Sequence, residues 1–320
     1  MIISDTTVKL TKTIISLIGV ILLISIIGFI KTPRVYAQVD EKTFNIAAVG
    51  DVSCVSEDTK LHGNETISSI GQHSNDLVLF LGDLAYSGGD TQCFLNMTNE
   101  LESKVENHVL IAIGNHDIDS HDGNEKTKRQ LIEKYHVPSS GYYSASFDNG
   151  NILIVVMNYT GIEEGKEKEL LLQDSPQYKF VKQTLENSAA RVKIVASHAP
   201  FMACKCYGQY TQHQPLPGVY GLYNPLFQNT GVSLVLSGHN HNYQRYKVDN
   251  VTYLTNGLGG RSFYHIPNNY VDENVQRIFD TDFGYGFSQF NIKANTIESK
   301  FVSNSGQDID NFVINLSDKR

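Results

Sequence analysis

The chain has 320 residues, of which 41% are hydrophobic and 19% are charged, so it is long enough and apolar enough to form a globular core. Its formal net charge is −8, and it contains no run of lysines and arginines. Nucleic acid is therefore disfavoured as a partner, because phosphate backbones attract basic surfaces. The four cysteines are compatible with an oxidising compartment.

Residues 1–37 differ in composition from the rest of the chain. Two lysines precede an uncharged apolar run of 17 residues from Ile14 to Ile30, and a Val-Tyr-Ala sequence ends at Ala37. This order is typical of a secretory signal peptide that is cleaved before Gln38. An uncleaved anchor is the alternative, because the apolar run has the minimum length of a membrane span. Both interpretations place the remaining chain outside the cytoplasm, either secreted or anchored on the outer face of the membrane through residues 14–30.

The first part of the remaining chain alternates strand and helix patterns. Unbroken apolar runs predict strands at Phe44–Gly50, Leu77–Leu81 and Leu110–Gly114. Between them, Ser56–Asn75 and Gln92–Asn107 have apolar residues at helical spacing. This order predicts a parallel sheet whose strands are joined by right-handed helical crossovers.

The pattern changes after a charged helix that is predicted at Asn124–Tyr135. An Asp-Asn-Gly turn at 148–150 predicts an antiparallel hairpin over residues 142–158. The Tyr-rich stretch 201–220 has no period and is long enough to be a functional loop. The other predicted elements are helices at Pro176–Asn187 and Asn224–Asn229 and antiparallel strands at 251–256, 286–292 and 296–301.

Five apolar runs end in residues that bind metal ions. The five endings are Gly50-Asp51, Gly82-Asp83, Gly114-Asn115-His116, Ser197-His198 and Gly238-His239-Asn240-His241. Carboxylate, amide and imidazole groups are hard or borderline metal ligands. Because α/β sheets bind ligands at the carboxyl ends of their strands, we expect one edge of one sheet to gather these side chains.

Tyr86 lies three residues past Asp83 and joins the candidate ligands. The complete set is Asp51, Asp83, Tyr86, Asn115, His198, His239 and His241. Seven residues are too many for one ion, but they suit two ions that share the carboxylate of Asp83. Two metal ions about 3.5–4 Å apart can hold both the attacking and the leaving oxygen of a displacement at phosphorus.

These motifs, in this order, resemble the five motifs of the calcineurin-like metallophosphoesterases, and Tyr86 resembles the tyrosine of the purple acid phosphatase subfamily. The resemblance extends over about residues 44–301. It implies an α/β fold, a four-layer α/β/β/α sandwich. We therefore expect a signal peptide or anchor at residues 1–37, a metallophosphoesterase domain at 38–303 and a C-terminal tail at 304–320.

The resemblance also implies two metal ions that are bridged by Asp83. For the first ion, which is ferric in the purple enzymes, the other ligands would be Asp51, Tyr86 and His241. For the second ion, which is divalent iron, zinc or manganese, they would be Asn115, His198 and His239. Asn115 and His116 match residues that contact the phosphate, and His116 matches the residue that gives a proton to the leaving group.

Two positions depart from the family pattern. Ser53 stands where the wider superfamily has a histidine ligand, and we expect Tyr86 to compensate for that loss. Ala199 stands where a second histidine often follows His198. His213, in the Tyr-rich loop, is the candidate that replaces this second histidine as a substrate contact.

The implied function is that of a secreted or surface acid phosphatase, which hydrolyses phosphorylated small molecules with a metal-bound hydroxide. A phosphodiesterase that acts on nucleotides or lipid head groups is the second enzymatic interpretation. A non-catalytic surface binding module with a decayed metal site is the third, and the complete ligand set argues against it.

The cysteines allow several pairings. Cys54 and Cys93 follow neighbouring ligand loops, so we expect a disulfide between them. Cys204 and Cys206 could pair with each other, stay free or pair with the other two. A zinc site at this Cys-x-Cys sequence is disfavoured, because no second pair of Cys or His flanks it at zinc spacing.

Overall fold

Two mixed β-sheets and their flanking helices make up the computed structural model of this chain. The described residues are 43–86, 91–106, 108–118, 125–160, 170, 172–204, 214–216, 218–266, 275–279 and 284–316. They all belong to one compact unit, Lys42–Arg320.

The described strands and helices are numbered in chain order. The strands are β1 (Phe44–Val49), β2 (Leu77–Phe80), β3 (Val109–Ile111), β4 (Tyr143–Phe147), β5 (Ile152–Val156), β6 (Val192–Ala196), β7 (Val232–Ser237), β8 (Tyr243–Val248), β9 (Val251–Asn256), β10 (Val275–Phe279), β11 (Gly286–Ile292), β12 (Thr296–Ser303) and β13 (Asp308–Asn315). The helices are α1 (Glu57–Gly71), α2 (Thr91–Lys104), α3 (Asn115–Ile118), α4 (Glu125–Tyr135), α5 (Pro176–Glu186) and α6 (Val219–Asn229), and residues 148–150 form a 3-10 turn.

The first sheet has the strand order β13-β12-β11-β1-β2-β3. β1, β2 and β3 are parallel, as the sequence predicts, and β11, β12 and β13 extend the sheet from β1 in antiparallel pairs. α1 and α2 lie between the parallel strands in the chain. α1 begins after Ser56, whose hydroxyl accepts a hydrogen bond from the N–H of Thr59 in a capping box that satisfies the first helical turn.

The second sheet has the strand order β10-β8-β9-β7-β6-β5-β4. β5, β6, β7 and β9 pair in parallel, whereas β4, β8 and β10 pair in antiparallel order. The predicted change to antiparallel pairing after residue 142 is therefore wrong for the middle of this sheet. The reason is that α5 and α6 return the chain so that each following strand runs in the same direction.

Three buried clusters define the layers of the fold. Ile46 and Leu79 of the first sheet share one cluster with Ile154, Ile194 and Leu236 of the second, so the two sheets pack face to face. The outer face of the first sheet packs on α1, α2 and α4, and the outer face of the second packs on α5 and α6. The fold is the four-layer α/β/β/α sandwich that the sequence resemblance implies.

The metal-binding motifs follow strands of two sheets rather than one. Asp51, Asp83 and Asn115 follow β1, β2 and β3 of the first sheet, whereas His198 and His239 follow β6 and β7 of the second. The expectation of a single sheet edge is therefore wrong. Both sheets contain parallel strands, and the carboxyl ends of the parallel strands of both sheets meet at one end of the sandwich.

The expected C-terminal tail contains a strand of the first sheet. Residues 308–315 form β13, which pairs with β12 at the edge of the sheet. The domain boundary expected at residue 303 is therefore too early. β13 lacks an apolar run because an edge strand carries polar residues on its exposed side, as Asp308 and Asn311 do here.

The expected disulfide joins Cys54 to Cys93, whose Cα atoms are 6.3 Å apart. It connects the loop after β1 to α2. Cys204 is also disulfide-bonded, so the alternatives of a free Cys204 and of a bond from Cys204 to Cys54 or Cys93 are wrong. Cys206 lies outside the described residues, so its pairing with Cys204 stays a prediction.

Residues 1–37, including the apolar run 14–30, also lie outside the described residues. Within the described part of the chain, no helix has the length and apolar content that crossing a membrane requires.

Candidate metal centre

Three of the predicted ligands occupy sharp turns at the ends of strands. Asp51, Asp83 and His239 have positive φ angles of 62°, 54° and 69°. Residues other than glycine rarely adopt this conformation, and such strained positions concentrate at functional sites. The turns therefore mark the carboxyl ends of β1, β2 and β7 as a candidate site.

Two glycines make room for the ligands. A Cβ atom on Gly82 would lie 2.5 Å from His198 Nδ1, and a Cβ atom on Gly114 would lie 2.1 Å from Asp83 Oδ1. Gly82 also has a φ angle of 84°, which glycine adopts without strain. The glycines that end these strands are therefore required by the close packing of the ligands.

The first ligand group consists of Asp51, Tyr86 and His241. The Tyr86 hydroxyl donates a hydrogen bond to Asp51 Oδ1 at 2.9 Å and lies 2.9 Å from His241 Nε2. His241 Nε2 lies 3.3 Å from Asp51 Oδ1. All three side chains are buried. A carboxylate, a phenol and an imidazole from residues that are far apart in the sequence thus lie close enough together to bind one ion.

The second ligand group consists of Asp83, Asn115, His198 and His239, and His198 lies at its centre. His198 Nε2 is 3.3 Å from Asp83 Oδ2, 3.1 Å from Asn115 Oδ1 and 3.1 Å from His239 Nδ1. The ligand atoms of Asp83, His198 and His239 all lie within 4.8 Å of one another, which makes this group a candidate metal site. The N–H of His239 donates to Asp51 Oδ2 at 2.8 Å and so joins the two groups.

The donor atoms of both groups suit metal ions. Oxygen and nitrogen ligands lie about 2.0–2.2 Å from an ion such as zinc, so two ligands of one ion are separated by about 3 Å. The separations within the groups, from 2.9 to 3.3 Å, have this size. Carboxylate, phenol, amide and imidazole donors are also the types that iron, zinc and manganese accept. The residues therefore fit the ions that the family resemblance implies.

Two histidines are oriented by backbone carbonyls. His198 Nδ1–H donates to the carbonyl of Leu81 at 2.7 Å, and His241 Nδ1–H donates to the carbonyl of Ser262 at 2.7 Å. A carbonyl only accepts, so each bond places the proton on Nδ1 and leaves Nε2 as the nitrogen that faces the ligand group. Such partners raise the basicity of a ligating histidine and hold its ring in place.

Asp117 holds the Asp83 loop from behind. Its buried carboxylate accepts four backbone hydrogen bonds, from Asp83 at 3.0 Å, Leu84 at 2.8 Å, Ala85 at 3.0 Å and Gly114 at 2.8 Å. Burial and the nearby charge of Asp83 raise the pKa of Asp117 to about 6. The sequence pattern indicated no role for Asp117, because backbone donors leave no pattern in the sequence.

His116 lies beside the first ligand group on α3. Its backbone N–H donates to Asp83 Oδ1 at 2.9 Å, and its ring packs against that of Tyr86 at a tilt of 34°, with the ring centres 4.5 Å apart. The side chain is half-buried, whereas Asp83 and Tyr86 are buried. His116 therefore lies between the ligands and the solvent, where a substrate can reach it.

The charges within the second group stabilise each other. Burial raises the pKa of Asp83, but His198, His116 and His239 outweigh it and hold that pKa well below its usual range. Burial lowers the pKa of His198, but Asp83 and Asp51 outweigh it and raise that pKa to about 9. Asp83 and His198 therefore favour each other's charged forms, and a metal ion that binds here must displace the proton from His198 Nε2.

A segment after β9, residues 257–264, adds contacts that the sequence did not predict. The Arg261 guanidinium lies over the Tyr86 ring, 4.7 Å from its centre, and the Tyr264 ring stacks on His241 with centres 4.0 Å apart. The N–H of Tyr264 donates to the carbonyl of His241 at 3.0 Å. No motif in the sequence indicated a role for Arg261.

The positions that depart from the family pattern have other roles in the structure. The Ser53 hydroxyl is buried and accepts a hydrogen bond from the N–H of Val55 at 3.3 Å, so it supports the loop after β1. Ala199 is buried in the cluster between the second sheet and its helices. His213 lies outside the described residues, and its role as a substrate contact stays a prediction.

The stretch of chain that matches a known family contains all the candidate ligands. Residues 44–243 match the calcineurin-like phosphoesterase family, and the chain belongs to that family. This result confirms the resemblance that the ordered motifs indicated.

Two curated relatives carry the name purple acid phosphatase. Purple acid phosphatase 1 of Ipomoea batatas is 29% identical over 211 residues, which cover 59% of this chain and 41% of the relative. Purple acid phosphatase 15 of Arabidopsis thaliana is 25% identical over 259 residues, which cover 67% of this chain and 44% of the relative. The chain thus spans less than half the length of the curated relatives that it matches.

Solved structures share the fold. The purple acid phosphatase PPD1 from yellow lupin, Lupinus luteus, matches with a TM-score of 0.66 and 16% identity over 86% of this chain and 54% of its own. GAP50, the anchor in the inner membrane complex of Plasmodium, matches with a TM-score of 0.61 and 16% identity over 85% of this chain and 89% of its own. At this identity the likeness concerns the fold alone.

Proposed function

We propose that this chain is a dinuclear, metal-dependent phosphatase that hydrolyses phosphomonoesters of small molecules outside the cytoplasm. The observation that carries the proposal is the pair of ligand groups, which the 2.8 Å hydrogen bond from His239 N–H to Asp51 Oδ2 joins. Membership of the calcineurin-like phosphoesterase family and the likeness to two purple acid phosphatases support it. The location rests on the signal-like composition of residues 1–37.

The proposed division of ligands follows the two groups. Asp51, Tyr86 and His241 would hold one ion, Asn115, His198 and His239 would hold the other, and Asp83 would touch both. Bound there, the two ions would lower the pKa of water to give a hydroxide nucleophile, and they would offset charge on the phosphoryl oxygens.

Tyr86 supports a ferric ion in the first group. Its hydroxyl oxygen lies 2.9 Å from both Asp51 Oδ1 and His241 Nε2, so it can be the ligand that replaces the histidine absent at Ser53. A phenolate is a hard donor, and a trivalent cation favours it more than a divalent cation does. Divalent iron, zinc or manganese is then the proposed occupant of the second group.

His116 is the proposed proton donor to the leaving group. Its backbone N–H is held by Asp83 Oδ1, and its half-buried ring lies against Tyr86, so the imidazole is fixed next to the ligands and stays accessible. An alkoxide that leaves phosphorus needs a proton, and a positioned imidazole can supply it at mildly acidic or neutral pH. Asn115 and His116 would also contact the phosphoryl group.

The test is turnover by protein that has been loaded with iron together with zinc or manganese. We expect hydrolysis of a generic aryl phosphate to be faster than hydrolysis of a bis-aryl phosphodiester. His198→Ala should abolish turnover because it removes the centre of the second ligand group. His73→Ala is the matched control, since His73 Nδ1 donates to the carbonyl of Ser69 on α1, away from the site.

The other results would point to other functions. Faster turnover of the diester would make the chain a phosphodiesterase. Two bound metal ions with no turnover of either ester would make it a binding module, and the proposed phosphatase activity would be wrong.

A further inference from the structure

The segment 257–261, Gly-Leu-Gly-Gly-Arg, packs its backbone directly on the turn that carries Asp51. A Cβ atom on Gly257 would lie 2.8 Å from Asp51 Oδ2, and a Cβ atom on Gly259 would lie 2.3 Å from the carbonyl oxygen of Gly50. The N–H of Arg261 donates to the carbonyl of Asp51 at 3.1 Å. The glycines thus bring the chain into contact with the site, and Arg261 is the first polar side chain after that contact.

The Arg261 side chain is a cation held at the first ligand group. Its guanidinium carbon lies 4.7 Å from the centre of the Tyr86 ring, and the side chain is half-buried. In the described part of the chain this guanidinium has no ion pair, in contrast to Arg245, which makes two hydrogen bonds of 2.7 Å to the carboxylate of Asp310. Arg261 therefore has guanidinium N–H donors that can bind an anion.

Arg261 and the proposed proton donor, His116, contact the same ring of Tyr86. The His116 ring packs against it at a tilt of 34°, with ring centres 4.5 Å apart, and the side chains of Arg261 and His116 are both half-buried. A planar guanidinium binds phosphate oxygens through two parallel hydrogen bonds. A phosphoryl group at His116 would therefore lie within the reach of the long Arg261 side chain.

We propose that Arg261 binds the non-bridging oxygens of the substrate's phosphoryl group and favours phosphomonoester dianions over phosphodiester monoanions. The proposal rests on the proposed phosphoesterase function and adds a residue that selects the substrate class. Above its second pKa of about 6, a monoester carries one more negative charge than a diester, so at such pH it gains more from one additional cation. Arg261 supplies that cation from the protein itself.

The experiment measures phosphate binding and turnover separately in the metal-loaded protein. Calorimetry gives the affinity for inorganic phosphate, and assays give KM and kcat for an aryl phosphate and a bis-aryl phosphodiester. We expect Arg261→Gln to weaken phosphate binding and to raise KM for the monoester by ~10–100-fold, the range for hydrogen bonds to charged groups. The change in KM for the diester should be smaller, and kcat should change less than KM because the lost contact binds substrate and transition state alike.

Two further variants serve as controls. Arg261→Lys keeps the charge but loses the planar pair of donors, so its phosphate affinity should lie between those of wild type and Arg261→Gln. Arg191→Gln makes the same change at the opposite end of β6, where the guanidinium donates to the carbonyl of Lys293 at 2.8 Å. It should leave the phosphate affinity and the KM and kcat for both esters unchanged. Metal content is measured for each variant.

The outcomes separate this inference from the proposed function. Wild-type protein that binds phosphate but hydrolyses neither ester contradicts the proposed function, and the phosphate affinity of Arg261→Gln still decides the role of Arg261. Wild-type affinity for phosphate and wild-type KM in Arg261→Gln overturn the inference and leave Arg261 as a group that only stacks on Tyr86. Wild-type protein that binds no phosphate overturns both proposals.

Discussion

The two sheets contribute different chemistry to the candidate metal centre. The first sheet and its loops supply the oxygen donors, which are Asp51, Asp83, Tyr86 and Asn115. The second sheet supplies the nitrogen donors, which are His198, His239 and His241. Each ligand group takes members from both sheets, so neither sheet could form either group alone.

The sheets also hold each other's ligands in place. The carbonyl of Leu81, at the end of β2, orients His198 of the second sheet, and the N–H of His239 donates to Asp51 of the first. The strand ends meet at glycines, since a Cβ atom on Gly50 would lie 2.9 Å from the Cα atom of Gly238. The centre is therefore a product of the packing of the two sheets, and its geometry depends on their contact.

A second junction joins the sheets through residues that are not candidate ligands. Arg245 on β8 of the second sheet forms a partly buried ion pair with Asp310 on β13 of the first, and the hydroxyl of Tyr243 donates to the same carboxylate at 2.8 Å. The Arg245 guanidinium also lies over the Phe312 ring, 4.3 Å from its centre. One junction thus contains the candidate ligands, whereas the other contains an ion pair and no candidate ligand, so variants can test the two separately.

The largest effect is expected from Asp83→Ala. Asp83 is the proposed bridge, so its loss should remove both metal ions and abolish turnover. Metal analysis of the purified variant measures the ions per chain, and the aryl phosphate assay measures turnover. Two ions per chain in Asp83→Ala would show that Asp83 does not bridge.

Asn115→Ala is the matched comparison for the bridge. Asn115 Oδ1 contacts only the second group through His198 at 3.1 Å, so we expect the variant to lose affinity for the second ion and to keep the first. Equal loss of both ions would mean that the two groups do not bind ions separately.

The next largest effect is expected from His116→Ala. Both ions should stay bound, because the ring of His116 is not in either ligand group, and turnover should fall by ~10²–10⁴-fold, the usual contribution of a proton-transfer group. Esters with good leaving groups need no proton and should be affected least. The same loss for every leaving group would limit His116 to positioning the phosphate.

A smaller effect, on stability alone, is expected from Asp310→Asn at the second junction. The change leaves the partly buried Arg245 without its charged partner, and losing hydrogen bonds between charged groups costs about 1.5–3 kcal/mol. Urea unfolding measures the loss, and metal content and kcat of the folded variant should match wild type. Loss of metal in the folded variant would mean that this junction also sets the geometry of the centre.

Asp308→Asn is the control on the same strand. Asp308 pairs with Lys300 at 2.8 Å, but both side chains are partly exposed, so the pair should contribute at most about 1 kcal/mol. A loss as large as that of Asp310→Asn would show that any charge on β13 matters, rather than the buried pair.

The candidate ligands could be chosen from the sequence because metal chemistry leaves local marks. Each ligand follows an apolar strand, and glycines such as Gly82 and Gly114 stand where a side chain would collide with Asp83 or His198. These features depend on neighbours in the chain or on the ligand itself, so a single sequence can show them.

The remaining features depend on contacts between distant backbones. Asp117 acts through four N–H groups, and Arg261 reaches Tyr86 only because two sheets meet, so neither has a signature in the sequence. The prediction that one sheet edge gathers all the candidate ligands was wrong for the same reason, since apolar runs do not reveal which sheet a strand joins. β13 was missed because its position is set by pairing with β12 and by the ion pair of Asp310 with Arg245.

The most direct test of the metal centre is the metal content and visible spectrum of wild type beside Tyr86→Phe, both loaded with iron under air. Tyr86 belongs to the first ligand group, so a phenolate on ferric iron should give the wild type a broad visible band. We expect two metal ions per chain in the wild type and loss of the band in Tyr86→Phe, with the second ion retained. A colourless wild type, a coloured Tyr86→Phe or a single ion per chain would contradict this account.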